Sequence, residues 1–382
     1  MKATLAFITF FTLFIGTYLG LNFYTYNFIK NLFNLSSFTS LLIQYIILLL
    51  ALSFPLAMAL DRFSSNSFTL ILVITGSVWL GIITIGFSIS IVGQIILFFL
   101  KLHSKNPNIQ LIKFIIGLLV ISITLILTII GLIIANSKPE ISHTFIHSSK
   151  LPIDRLRIVQ LSDIHAGTIV GPKRIELLYQ LTKEINPDII FFTGDIIDAD
   201  ICRLQLTIPI FKKFTELAPV YAITGNHEYY AGIKKSEQFC SDVGFKLLRN
   251  ECEIFENKIN IAAYDDIEHE RFIGKRPTLE TIFDGCNNAL PTIFLNHRPT
   301  DYEIANRVGA LLQLSGHTHN GQLFPGNLLV KLFFKYTKGL HKIGNMYLYA
   351  NKGAGTWGPP MRIFSNPEIA VFTLKKTHVK DN

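Results

Sequence analysis

A chain of 382 residues that is 49% hydrophobic and only 16% charged is neither a disordered protein nor a wholly soluble one. Its net charge of +8 is uneven: residues 1–150 carry eight Lys/Arg and only two acids, Asp61 and Glu140, so most of the excess lies there. The nearly neutral remainder excludes a basic nucleic-acid groove, and no nucleic-acid partner is expected. Two parts are implied, a membrane-embedded region and a soluble domain large enough for its own core.

Four apolar stretches approach or exceed the roughly 20 residues that a bilayer core requires: 3–23, 41–60, 68–100 and 114–135. The first is too long for a signal-peptide core, and bulky Tyr18, Leu19, Leu21 and Phe23 stand where a cleavage site needs small residues. The third exceeds one crossing but is too short for two, so a single tilted helix is expected. Pro55 predicts a kink in the second. Ser77/Gly81 and Gly86/Ser90, small residues four apart, predict close helix packing. No Asp, Glu, Lys, Arg or His lies inside any stretch, which argues against ion-coupled transport. The region reads as an anchor or a platform for a lipid substrate. With four spans, Lys2, Arg62, Lys138, Lys150, Arg155 and Arg157 share one side, against Lys30, Lys101, Lys105 and Lys113 on the other. That count favours a cytoplasmic soluble domain. Residues 1–136 are thus the transmembrane region, 137–153 a linker, 154–376 the soluble domain and 377–382 a tail.

Beyond the linker, short apolar runs alternate with amphipathic stretches, the pattern of an α/β layered domain. Strands are expected at Arg157–Leu161, Asp188–Thr193, Pro219–Thr224, Thr292–Leu295 and Ala310–Leu314, with a helix at Gly171–Ile185. Met346–Ala350 and Glu368–Leu374 read as antiparallel strands, which makes the sheet mixed. Cys202, Cys240, Cys252 and Cys286 form no CxxC pair, and scattered buried thiols are preferred over two disulfides.

The five strands end in polar clusters: Asp163-Ile164-His165, Gly194-Asp195, Gly225-Asn226-His227-Glu228, Asn296-His297 and Gly316-His317-Thr318-His319. In open α/β sheets that edge is where ligands bind. Asp163, His165, Asp195, Asn226, His297, His317 and His319 are candidate ligands whose imidazole, carboxylate and amide groups suit Mn, Fe or Zn. Asp-x-His and His-x-His place alternate side chains on one side of an extended backbone. The glycines before Asp195, Asn226 and His317 are expected to permit sharp turns. Seven ligands are too many for one tetrahedral ion and fit two divalent ions sharing a carboxylate. Such a pair lowers the pKa of a bridging water and suits a phosphate ester. His103, His143, His147, His269, His341 and His378 read as satisfied or simply exposed, and Asp198 and Asp200 as solvated loop acids.

As a set, these motifs resemble the calcineurin-like metallophosphoesterase superfamily from about Arg157 to Leu374, in particular its bacterial, membrane-anchored branch. Asn320-Gly321-Gln322 and the run from Lys352-Gly353-Ala354-Gly355 to Pro367-Glu368-Ile369 add to the likeness. The resemblance implies two packed sheets flanked by helices. It also implies one metal held by Asp163, His165, Asp195 and His319, and a second by Asp195, Asn226, His297 and His317. Asn226 and His227 would be catalytic, with His227 beside the substrate phosphate. The bacterial inner membrane is the location it implies.

The reading is therefore a membrane-bound dinuclear-metal phosphohydrolase that uses metal-activated hydroxide on a phosphoester or pyrophosphate. A lipid-linked substrate such as UDP-diacylglucosamine fits the apolar half. A tethered phosphodiesterase or monoesterase of broad specificity, and a non-catalytic membrane sensor or scaffold, remain as alternatives. Leu328–Lys338, rich in both apolar residues and lysine, is either a hairpin or helix buried against the domain or an interfacial flap.

Overall fold

The computed structural model describes residues 2–60, 66–103, 108–198 and 204–377. Arg62, Asp200, Cys202 and His378 lie outside them. The chain divides into a helical unit (Met1–Ala135, Leu323–Gly326 and Trp357–Phe364) and a second unit made of the remainder.

The helical unit is built on α1 (Lys2–Phe33), α2 (Ser37–Leu60), α3 (Ser67–His103) and α4 (Ile109–Asn136). By length and composition, α2, α3 and α4 are long and apolar enough to cross a membrane. The long third stretch forms one helix, roughly 55 Å at 1.5 Å per residue, more than a bilayer core is thick. Pro55 lies inside α2. Ser77, Gly81, Gly86 and Ser90 are all buried, as their spacing predicted. Helices approach closely at Gly76, where an added Cβ would stand 2.6 Å from the Phe54 backbone. Inside the unit, Trp79 Nε1 donates to Asn22 Oδ1 at 2.9 Å. Two segments from far along the chain belong to this unit. Met361 lies against Gly81 and Gly131, and the Arg362 amide donates to the Gly131 carbonyl at 2.9 Å.

The second unit holds two six-stranded mixed sheets. The first runs β1 (Glu140–Ser148), β12 (Glu368–Lys376), β2 (Arg155–Leu161), β3 (Ile189–Thr193), β4 (Val220–Ile223), β5 (Lys246–Leu247). The second runs β10 (Gly339–Ile343), β11 (Met346–Ala350), β9 (Leu312–Ser315), β8 (Thr292–Asn296), β7 (Ile259–Tyr264), β6 (Glu251–Phe255). Alternate residues of the central strands feed two cores, as the two-residue strand period requires. Ile158, Ile189 and Phe191 pack with Ile261, Ile293 and Leu314 of the other sheet. Val159, Ile190 and Phe192 face the opposite way, onto Ile175, Leu178 and Phe211. Helix α5 (Pro172–Ile185) supplies Ile175 and Leu178. The α/β architecture, two sheets flanked by helices and preceded by a helical region, matches the expected fold class.

Several expectations need correction. The stretch 137–153 is not a plain linker, because β1 pairs in parallel with β12 along its full length. Only Ile146 and Ser148 of β1 are buried, so its sequence carries little apolar alternation. Strand β12 is antiparallel to β2 but parallel to β1, and β11 is antiparallel to β10 but parallel to β9. The cysteines are not all scattered thiols: Cys252 and Cys286 form a disulfide, and Cys240 is a buried thiol.

Candidate metal centre

The parallel strands β2, β3 and β4 of one sheet, and β8 and β9 of the other, deliver all the candidate ligands at their carboxyl ends. Backbone bonds lash the loops beyond them together. The Asp163 amide donates to the Gly194 carbonyl at 3.1 Å, that of His165 to Asp195 at 2.9 Å and that of Gly316 to His297 at 2.8 Å. The His317 amide donates to the Asp163 carboxylate at 2.9 Å, joining the two sheets.

Five of these residues leave their strands in the left-handed region: Asp163 (φ 52°), His165 (53°), Asp195 (51°), His317 (67°) and His319 (47°). Such backbone costs of order 1–3 kcal/mol per residue outside glycine and clusters at functional sites. The glycines play a different part from the one expected. Only Gly194 has a positive φ, +86°. Gly225 and Gly316 provide close approach instead. A Cβ on Gly225 would collide with Asp195 Oδ1, and one on Gly316 with Ser162 Oγ and Asp163 Oδ2.

Two clusters form around Asp195. His165 Nε2 and His319 Nε2 face one another at 3.0 Å, with Asp163 Oδ1 3.4 Å from His319 Nε2. Asp195 Oδ2 lies 3.7 Å from His165 Nε2 and 3.3 Å from His297 Nε2, and His317 Nδ1 lies 3.2 Å from His297 Nε2. Potential ligand atoms of Asp163, His165 and His319 all lie within 4.8 Å of one another, as do those of Asp195, His297 and His317. The Nδ1–H of His297 donates to the Thr193 carbonyl at 2.8 Å, which turns Nε2 toward Asp195.

The donor set fits divalent cations. Asn226 Oδ1 and His165 Nδ1 are buried with no hydrogen-bond partner. A buried acceptor in that state calls for an explanation such as an ion. Electrostatics point the same way. Burial tends to raise the Asp195 carboxyl, but His297 and His227 hold it well below the usual range. Burial pushes Asp163 up to about 6 and His165 down to about 4, and it lowers His317 well below its ordinary value. Bound cations favour the deprotonated ligand form of every one of these groups.

All seven candidate ligands and His227 therefore gather at one edge. Two residues outrun their sequence reading. Asp198, read as a solvated loop acid, accepts from His227 Nδ1 at 2.5 Å. Burial alone would lower the His227 pKa, but Asp198 and Asp195 raise it to about 9. Glu228 accepts from the amides of Asp195 (2.9 Å), Ile196 (2.8 Å) and Gly225 (2.7 Å), pinning the β3 and β4 loops to each other. The spacing Asp195-x-x-Asp198 on an edge already rich in ligands was the available signal for the first. Behind His227, the Tyr230 ring lies 5.4 Å away, and Arg298 makes a bidentate pair with buried Asp266 at 2.7 and 3.0 Å. His269 is satisfied by Asp265 at 2.8 Å, as expected.

Comparisons with known proteins identify the family. The family described as calcineurin-like phosphoesterase matches residues 156–321. A metallophosphoesterase of Aquifex aeolicus is 32% identical over 235 residues, covering 60% of this chain and 89% of that protein. The chain belongs to the calcineurin-like metallophosphoesterases, a family of metal-dependent phosphoester hydrolases. The metallophosphoesterase YkuE of Bacillus subtilis is 34% identical over 255 residues, 62% of this chain and 85% of that one. A "transmembrane protein with metallophosphoesterase domain" from Danio rerio is 33% identical over 272 residues. The match takes in 68% of this chain but only 62% of the fish protein's length. Among solved structures, the calcineurin-like phosphoesterase YfkN of Bacillus subtilis is similar at 17% identity and a TM-score of 0.35, covering 53% of this chain and 82% of that one.

Proposed function

We propose that this metallophosphoesterase is a membrane-bound phosphohydrolase with a two-metal centre, acting on a lipid-linked phosphoester or pyrophosphate. The observation that supports the reading is the meeting of Asp163, His165, Asp195, His297, His317 and His319 in two clusters, with Asn226 Oδ1 nearby in the chain, buried and without a hydrogen-bond partner. Asp163, His165, Asp195 and His319 would hold one divalent ion, and Asp195, Asn226, His297 and His317 the other, with Mn, Fe or Zn suited to the donors. Bound there, the ions would polarise the phosphoryl oxygens and acidify a water.

The chain's own residues supply the rest. The Asp195 carboxylate is kept ionised at the centre of the site. His227 is held protonated by Asp198. With Nδ1 committed to Asp198, delivery of a proton to a leaving oxygen falls to Nε2. The helical unit supports the lipid-linked class, since three of its helices have membrane length.

The side of the membrane bears on which lipid is cleaved. With four spans the count of flanking cations favours the cytoplasm, whereas the Cys252–Cys286 disulfide suits an oxidising compartment. A C-terminal reporter fusion separates the two. A cytoplasmic domain leaves nucleotide-linked lipids such as UDP-diacylglucosamine as substrates, and an outer placement leaves lipid phosphates.

The experiment is turnover by the full chain in detergent with Mn²⁺, offered UDP-diacylglucosamine, a lipid phosphate and a soluble aryl phosphodiester. Metal-dependent cleavage of a lipid is the expected result. Activity confined to the soluble ester rejects the lipid-linked reading, and absence of turnover with every metal rejects hydrolysis.

A further inference from the structure

Residues 327–337 leave the domain beside the metal centre and return to it. At one end, Asn327 Nδ2 donates to the Asn320 carbonyl at 2.8 Å. At the other, Thr318 Oγ1 donates to the Thr337 carbonyl at 2.7 Å, and Thr337 Oγ1 donates to Asn320 Oδ1 at 3.2 Å. Both anchors lie within two residues of His319. A third contact ties the loop to the site, the Phe334 ring 5.3 Å from that of His317. The base is therefore fixed, and the loop has the form of a compact Ω-type excursion.

Its tip is built the wrong way round for water. Leu328 is 57% exposed, Leu329 52%, Leu332 77% and Phe333 81%. Four large apolar side chains within six residues make a patch that soluble surfaces rarely leave uncovered. The expectation that this segment is buried against the domain is thus not met.

Charge narrows what covers it. Lys331, Lys335 and Lys338 are exposed along the same excursion. No Asp or Glu occurs anywhere between Glu303 and Glu368. A protein partner would meet three lysines whose own stretch of chain carries no acid, with Glu303 acting on Lys335 alone among them. An anionic lipid surface satisfies both halves, the acyl region taking the apolar tip and the headgroups the lysines. Connectivity agrees, because Leu323–Gly326, the four residues before the loop, belong to the unit whose helices have membrane length.

We propose that residues 327–337 form an interfacial loop that seats its Leu332–Phe333 tip in an anionic lipid surface next to the metal centre. This goes beyond the function proposed above, since it specifies a contact with bulk lipid and needs no particular substrate.

The test reads depth directly. The full chain carrying Phe333→Trp is reconstituted into vesicles containing acyl-brominated phosphatidylglycerol or acyl-brominated phosphatidylcholine. Emission is taken as the difference from the parent chain, which already holds Trp79 and Trp357. Phe272→Trp serves as the control, an aromatic 52% exposed on the same unit but in a helix with Glu268 and Glu270. The expected result is quenching at position 333, stronger in phosphatidylglycerol, with none at 272. Replacing Lys331, Lys335 and Lys338 by Gln should remove the preference for phosphatidylglycerol. Absence of quenching at 333 in both lipids overturns the proposal, and so does equal quenching at 333 and 272. Quenching that ignores headgroup charge overturns the anionic assignment. Thermal unfolding of each variant confirms that it is folded. Because no turnover is measured, failure here is distinct from failure of the proposed hydrolysis.

Discussion

The two sheets make unequal contributions to the candidate centre. The sheet of β2, β3 and β4 brings both carboxylates, His165, the Asn226 amide and His227, while the sheet of β8 and β9 brings only imidazoles, His297, His317 and His319. The first half is anionic and braced by Glu228, which gathers four backbone amides. The second is neutral unless protonated and leans on the first: the His317 amide binds Asp163, and His297 Nδ1 binds the Thr193 carbonyl. The centre therefore exists only when the sheets are in register, and its charge comes from one side.

The strongest way to break that asymmetry is to remove the charge both clusters share. Asp195→Asn should lower metal-dependent turnover by about 10³-fold, since two-metal stabilisation amounts to several kcal/mol. Metal content measured on the purified variant should fall as well. Retained metal and retained rate would show that Asp195 does not serve both clusters.

Asp198→Asn should be milder, about 10²-fold in kcat, the low end of general acid–base contributions. Its signature is in the pH profile. His227 is an acid only while protonated, so activity should decline as pH rises through its pKa, which Asp198 raises in the parent chain. Without the Asp198 charge the folded-state pKa drops, and the decline should begin at lower pH. An unchanged alkaline limb in the variant removes His227 from that role.

The smallest effect concerns the seam. Gly316→Ala places a methyl group against Ser162 and Asp163 across the two sheets. Overpacking of this kind costs about 1–3 kcal/mol. Tm should fall, and metal affinity with it, because Asp163 must shift. A Tm equal to the parent's would show that the sheets part there without penalty.

Much of this centre is legible in the sequence. Each ligand follows a short apolar run, and local chemistry marks the ends of β2, β3, β4, β8 and β9. What stays hidden depends on distant pairing. Strand β1 is half-exposed, and its pairing joins Glu140 to Glu368 across most of the chain. Cys252 and Cys286 meet only because β6 and the segment after the helix Leu279–Asp284 are neighbours in space. Asp198 shows its part only once the β4 loop delivers His227 to it. The five left-handed ligand positions carry no glycine, so nothing in composition announces them.

The capture of Trp357–Phe364 by the helices bears on how this protein can be divided. A chain begun at residue 151 would lack β1 and bare the edge of β12. It would also strip the cover from Leu323, Met361 and Ile363, which are buried in one cluster with Ile85 of α3. Such a fragment would fail for want of its packing partners whether or not the substrate is a lipid. Shortened forms of the chain therefore need a cut that keeps Leu323–Gly326 and Trp357–Phe364 with the helices that cover them.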